Sequence, residues 1–309
     1  LALAISPAMA VELRFDGFAS IVAGQVLDKD ELYEDNFRGY DNKLRFQQNS
    51  MFALQVRADL QDRISATAQI AAKGKDNYEA SFNWAYLTYE ISNEWSARFG
   101  RQRIPYFMYS DFLDVGYAYH WIEPPYHVYN LAGFDSADGL SVEHQTDIGP
   151  WTSRATAMVG RANTTLETSF DSEVETEVSD ILMVNWSMNY DWFTARVVYA
   201  QSDLTFDFST LLEGQIFPML ETAFPLGLSM VLSDASRQEF AVTDDKVTFG
   251  GVGISIDTGK FFLAAEATEL GVEDSFLQEP SSQWYISAGF RVGDFTPYIT
   301  YEHVESDYN

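Results

Sequence analysis

Leu44-Arg-Phe-Gln-Gln-Asn-Ser-Met-Phe-Ala-Leu-Gln-Val-Arg-Ala-Asp59 alternates in character from one residue to the next. Leu44, Phe46, Phe52, Leu54, Val56 and Ala58 share one parity, which Gln48 and Ser50 interrupt. Arg45, Gln47, Asn49, Gln55, Arg57 and Asp59 share the other. Successive side chains of a β-strand point to opposite faces, so this spacing gives one apolar and one charged face. Phe193–Ser202 repeats the pattern, with Phe193, Ala195, Val197 and Tyr199 against Thr194, Arg196 and Ser202. So does Trp284–Arg291, with Trp284, Ile286, Ala288 and Phe290 against Ser287 and Arg291. A soluble sandwich buries the apolar face. A transmembrane barrel turns it to lipid and leaves the charged face on water.

The connections between such stretches separate the two. Short ones recur at Asp59–Arg63, Ser92–Glu94, Asp147–Pro150, Asp191–Trp192, Asp257–Lys260 and Gly293–Asp294. They alternate with long polar ones at Val26–Asn42, Gly74–Ala80, Pro105–Asp138, Ala162–Val178, Asp207–Asp245 and Gly271–Ser282. Antiparallel hairpins with short turns at one end and long loops at the other have the layout of a bacterial transmembrane barrel. Trp95, Trp151, Trp192, Phe193, Phe261 and Phe295 sit at the short turns. Aromatic rings collect there when the turns lie at a membrane interface.

Composition narrows the function classes. Hydrophobic residues make up 46% of the 309, yet no run approaches the ~18 apolar residues of a spanning helix. The formal net charge of −27 excludes nucleic acid as a natural partner, because phosphate binding needs a basic surface. Such acidity suits a solvated surface, or loops held near lipopolysaccharide through divalent cations. The chain has no cysteine, which removes disulfides and thiolate metal sites and suits passage through an oxidising periplasm.

Leu1–Ala10 reads as the tail of a signal peptide, ending Ala8-Met9-Ala10, so the mature chain is expected from Val11. The remainder, 11–309, reads as one barrel domain. Its strands are expected at 13–25, 43–59, 63–73, 81–91, 95–104, 139–147, 151–161, 179–190, 193–206, 246–257, 260–269, 283–292 and 295–305. Thirteen is odd, and the last of them runs outward without returning. The fold class is therefore all-β: an antiparallel transmembrane β-barrel, expected to have about 16 strands when complete, the last of them lying beyond this stretch. Ser209–Leu232, apolar with Pro218, Pro225 and Gly227, is too long for a structureless loop and reads as a plug, a folded external loop or a latch between protomers.

Arg98-Phe-Gly-Arg-Gln-Arg-Ile-Pro105 closes the fifth expected strand, and the long segment Pro105–Asp138 follows it at once. In both features the chain resembles the Gram-negative general porins, the trimeric outer-membrane diffusion channels. The resemblance spans the whole chain as a pattern. It implies that 105–138 folds into the lumen as a constriction loop. The short acidic motif common in that loop is replaced here by an aromatic stretch, Tyr106 to Trp121, ending in Ile122-Glu-Pro-Pro125. The departure points toward a channel that prefers certain solutes.

A constriction works by opposing charges across a narrow aqueous gap, where the field orients dipolar solutes. Candidate loop acids are Asp111, Asp114, Glu123, Asp135 and Asp138. Candidate wall bases are Arg14, Arg45, Arg57, Arg98, Arg154, Arg196 and Arg291, with Arg101 and Arg103 added if a bulge at Gly100 turns them inward. Tyr106, Tyr109, Tyr117, Tyr119 and Trp121 either form a slide for sugars or aromatic solutes or pack the loop against the wall.

His144 and Ser141 differ in strand parity, and His120 and His127 near Glu123 have no helix to set them on one face, so no catalytic residue, cofactor or metal is expected. The reading is a non-enzymatic channel in the cell outer membrane, exported through the periplasm, a homotrimer in contact with outer-membrane lipid and lipopolysaccharide. It passes small hydrophilic solutes and ions by passive diffusion. The alternatives are a channel preferring sugars or small organic acids, and a structural or adhesive barrel plugged by the 207–245 segment.

Overall fold

The computed structural model describes residues 12–27, 39–129, 134–167, 173–207, 242–272 and 281–306. They form two compact units, residues 1–103 with 112–122 and residues 104–111 with 123–309. In the first, β1 (Glu12–Ser20), β2 (Met51–Gln61), β3 (Ile64–Lys73), β4 (Ala80–Glu90) and β5 (Trp95–Arg103) make an antiparallel meander. The second holds β6 (Ser136–Ile148), β7 (Trp151–Glu167), β8 (Glu173–Tyr190), β9 (Phe193–Asp207), β10 (Val242–Asp257), β11 (Phe261–Val272), β12 (Ser281–Phe290) and β13 (Tyr298–Ser306). Each pairs antiparallel with the next. The α-helix α1 (Tyr126–Tyr129) lies in the connection between β5 and β6.

Short turns form because residues that tolerate left-handed backbone stand in them. Arg63, Gly149, Asp191, Gly259 and Gly293 all have φ between 40° and 82°. Two-residue hairpin turns need that conformation to match the twist of the flanking strands. The β4–β5 turn uses another device: the Ser92 hydroxyl accepts hydrogen bonds from the Glu94 and Trp95 amides at 3.2 and 3.1 Å.

Thirteen strands stand near the expected places, with three informative differences. The strand expected from 43 begins at Met51. Residues 44–50 are folded by a local turn in which the Ser50 amide donates to Gln47 O at 3.1 Å. The Ser50 hydroxyl also donates to Phe46 O. A Gln-Gln-Asn-Ser run satisfies its own backbone this way and leaves the ladder. Second, β7 and β8 run on through much of the segment read as an acidic loop. Thr164 pairs with Thr176 and Ala162 with Val178, and the β-branched Thr164, Thr176 and Val178 suit a pleated surface. Third, β9 pairs with β10 beyond the expected start at 246, with a register shift between Val242 and Asp245. Ser209–Leu232 and Leu1–Ala10 lie outside the described residues.

The apolar parity carries exposed large side chains in both units. Phe15, Phe52 and Leu54 show it in the first unit, and Leu182, Trp186, Val197, Tyr199, Val252 and Ile286 in the second. The opposite parity holds buried polar groups: Thr67 and Gln69 in the first, Ser141, Glu266 and Ser287 in the second. A water-soluble sheet inverts that distribution, whereas a lipid-facing one requires it. Because the chain has no cysteine, a single Leu54→Cys tests the face cleanly. The thiol is expected to react with a bilayer-partitioning reagent and to resist a charged aqueous one. Efficient aqueous labelling in membranes would reverse the polarity assigned to the sheet.

At the short-turn end of the second unit, Trp151 lies 5.0 Å from Tyr190 and 6.0 Å from Phe193, and Trp192 lies 6.0 Å from Phe193. These rings cover one end of the strands, as an interfacial girdle does.

Candidate functional site

In the second unit, one row of paired residues crosses every strand at a single height. Gln145 pairs with Arg154, Arg154 with Ser187, Ser187 with Arg196 and Arg196 with Gly253. Gly253 pairs with Glu266, Glu266 with Tyr285 and Tyr285 with Glu302. Residues directly opposite in an antiparallel ladder share a face, so this row is a belt of polar and aromatic side chains on the non-apolar side.

The connection between β5 and β6 folds onto that belt. Its first limb is held by Arg196, whose guanidinium donates to Tyr106 O at 3.0 Å and to Pro105 O. The Met108 amide donates to Glu266 Oε1 at 2.8 Å. Its second limb includes α1, where the Tyr129 hydroxyl donates to Glu266 Oε2 at 2.7 Å and the His127 amide to Glu302 Oε2 at 3.3 Å. Gly253 leaves room in the belt: a Cβ there would stand 2.7 Å from Met108 Cε. Aromatic rings complete the seat. Phe249 lies 5.0 Å from Tyr106 and 5.6 Å from Phe107, both edge-on, and Phe107 lies 4.7 Å from Tyr129. Such ring pairs each contribute about 0.5–1.5 kcal/mol beyond the apolar area they bury.

The first unit has a second anchorage. Residues 112–122 belong to it, and Asp114 is its centre. The Asp114 carboxylate accepts from Arg103 and from Asn83 Nδ2 at 3.1 Å, with Lys73 Nζ at 3.6 Å. Around it runs an amide network: Asn83 donates to Gln69 Oε1 at 3.0 Å, and Gln69 and Trp84 both donate to Gln55 Oε1, at 3.3 and 3.2 Å. The Arg103 guanidinium stacks over the Trp84 ring at 5.3 Å. Burial opposes ionisation of Asp114, but Arg103 and Lys73 outweigh it and hold the carboxyl below its ordinary value.

The candidate residues thus take distinct places. Among the loop acids, Asp114 is spent on its anchorage, whereas Asp111 is exposed. Glu123 is half-buried. Asp135 takes the Ser136 hydroxyl at 3.0 Å, and Asp138 stands on β6 opposite Arg161, off the loop. Among the bases, Arg196 and Arg154 are in the belt; Arg154 bonds Gln145 at 2.8 Å and lies 3.8 Å from Glu143. Arg14 and Arg57 pair across β1 and β2 on the polar parity. Arg98 lies over the Tyr86 ring at 5.7 Å.

Three bases depart from the expected ladder. Arg45 is off the strands, exposed and bonded to Asp41 at 2.5 Å, because residues 44–50 turn. Arg291 closes the short-turn end on Asp257 at 2.7 and 2.8 Å. Gly100 has the unusual φ of 127°, but pairing runs unshifted to Ala85↔Arg101, leaving Arg101 exposed on the parity of Phe99. Arg103 reaches the loop at Asp114.

Of the aromatic candidates, Tyr106 and Trp121 are buried and serve as packing. Burial pushes the Tyr106 phenol up to about 12. Tyr109 and Tyr119 are half-buried, and Tyr117 is 79% exposed. Sequence reasoning missed Glu266, Lys73, Asn83 and Tyr285. For Glu266 a signal existed: it is the one acid among Phe262, Ala264 and Thr268 on its face, in mid-strand.

No protein-family model and no curated protein matches the chain. Solved structures do. Salmonella typhi OmpF, in complex with daunomycin, is 13% identical over 96% of this chain and 79% of its own, with a TM-score of 0.53. The outer membrane channel DcaP of Acinetobacter baumannii is 15% identical over 99% of this chain and 82% of its own, also at 0.53. The likeness establishes the fold: the antiparallel transmembrane β-barrel of Gram-negative outer-membrane porins.

Proposed function

We propose that the protein is an outer-membrane porin, a water-filled channel through which small hydrophilic solutes and ions diffuse passively across the outer membrane of a Gram-negative bacterium. One observation carries this reading: the β5–β6 connection is folded onto the polar belt of the second unit rather than away from the strands. A sheet with lipid on one face and water on the other needs no such inward loop for stability. A pore whose bore is to be narrowed does. The exposed Asp111 on the loop and the Arg154 of the belt then supply opposed charges within one aqueous bore, where low-dielectric walls strengthen the field. The reading includes assembly as a homotrimer among outer-membrane lipid and lipopolysaccharide, and no chemistry beyond conduction.

The exposed Tyr117 ring favours a second reading, a channel of the same fold that prefers sugars or small organic acids. A planar-bilayer recording of the purified protein tests both. Open steps grouped in threes are expected, and block by a sugar or an organic acid at millimolar concentration would select the second reading. A folded, inserted protein that carries no current would overturn both and favour a plugged, structural barrel.

A further inference from the structure

Among the described residues, Glu266 is the buried carboxylate of the strands. Its side chain is 2% exposed, and it sits in mid-strand on β11. Both carboxylate oxygens are used, and each holds a different limb of the connection. Oε1 takes the Met108 amide, five residues past the close of β5 at Arg103, and Oε2 takes the Tyr129 hydroxyl at the end of α1. Met108 and Tyr129, one on each limb, are therefore tied to a single side chain. Arg196, 4.0 Å from Oε1, offsets the buried charge while its own donors grip the first limb. A buried carboxylate is costly unless it is paired and hydrogen-bonded, and a strand facing water does not need one for folding. Its placement is explained by what it holds.

We propose that Glu266 is the positioning residue that sets the cross-section of the pore, acting as a latch that ties both limbs of the loop to the wall at one height. The proposal rests on the porin reading, and its test separates the two. Glutamine fills the same space. Its carbonyl accepts the Met108 amide, and its amide nitrogen donates to the Tyr129 oxygen in place of the bond it loses. Alanine releases both limbs at once.

The latch is read without any need for current. Val128 on α1 is 2% exposed, and in a chain free of cysteine Val128→Cys is a clean reporter. Its maleimide labelling in the refolded protein is expected to be slow in the parent and in Glu266→Gln. In Glu266→Ala it should accelerate at least about tenfold, since two hydrogen bonds to a charged group are lost. In the bilayer, Glu266→Ala should give a larger and noisier open step, while Glu266→Gln stays near the parent. Labelling as slow in Glu266→Ala as in the parent, in protein shown folded by its shift on heating before electrophoresis, would overturn the latch even if the channel conducts. If Glu266→Ala does not fold, Tyr129→Phe removes one of the two tethers and keeps the ring. It should label about three- to tenfold faster, and an unchanged rate would overturn the proposal. A labelling pattern as expected in a protein that passes no current would retain the latch and refute the porin.

Discussion

Asp114→Ala is expected to free residues 112–122 from the first unit while leaving the strands folded. The carboxylate is the shared acceptor of Arg103, Asn83 and Lys73, and the Arg103 side chain is 7% exposed. Removing one partner of a buried ion pair costs roughly 3–5 kcal/mol, because the remaining charge stays desolvated. With Asn83 and Lys73 able to turn toward water, the low end applies, about 3 kcal/mol. Hydrogen exchange reads this locally. The Val115 and Ala118 amides, bonded to Phe112 O and Val115 O at 2.9 and 2.8 Å, should lose protection by roughly a hundredfold, since each tenfold corresponds to about 1.4 kcal/mol. Asp114→Asn keeps the bond to Asn83 and should fall between. Adding Arg103→Met to Asp114→Ala should restore part of the loss, because no stranded guanidinium then remains. Protection unchanged in Asp114→Ala would mean that apolar packing, not this carboxylate, fixes the segment.

The same group gives the anchorage its pH dependence. Its carboxyl is held below the ordinary value by Arg103 and Lys73 against the opposing effect of burial. A group whose folded pKa is depressed contributes stability that is complete above the unfolded value and is lost as pH falls through the folded one. Exchange protection at Val115 should therefore be flat from neutral pH into the mildly acidic range and collapse only below the ordinary carboxylate range. In Asp114→Ala that step should be absent.

The strands were legible in the sequence because their physics is local. A period of two, a left-handed residue at the turn and a tryptophan beside it sit within a few positions of each other, as in Asp147–Trp151 or Asp191–Phe193. The bend at 44–50 was hidden because the apolar parity of Leu44 and Phe46 resumes at Phe52 after its break at Gln48 and Ser50, while Ser50 bonds backbone groups at Phe46 and Val22 that alternation does not report. The site was legible by class and not by partner. The loop from Pro105 and the acid Asp114 stand out along the chain, but whether Asp114 faces open water or Lys73 depends on pairing between residues 41 positions apart. Glu266 shows the same limit more sharply. Its partners lie 158 and 137 residues away, and only the register of three successive strand pairings brings Arg196, Gly253 and Tyr285 into line with it.

Val252→Arg, on the lipid-facing parity of β10, is the substitution expected to cost most on the other face of the sheet. Val252 is 57% exposed and pairs with Val197 and Ala267. It stands five residues from Asp257 at the short-turn end, so in a strand that spans with ~9–11 residues it lies near the bilayer midplane. A charge there has neither water nor counter-ion, and the loss should be about 2–4 kcal/mol in reversible folding into lipid vesicles. Depth is the control that a soluble sheet does not imitate. Ile256→Arg, on the same parity but one residue from the turn, reaches the interface and should cost about 0–1 kcal/mol. Asn185→Arg, on the parity of Arg196, points into the bore and should leave stability within about 1 kcal/mol while shifting ion preference toward anions. A soluble β-sheet would accept arginine at exposed Val252 as readily as at Ile256. Equal costs at the two positions would therefore remove lipid from the account of this face, and with it the pore on the other side.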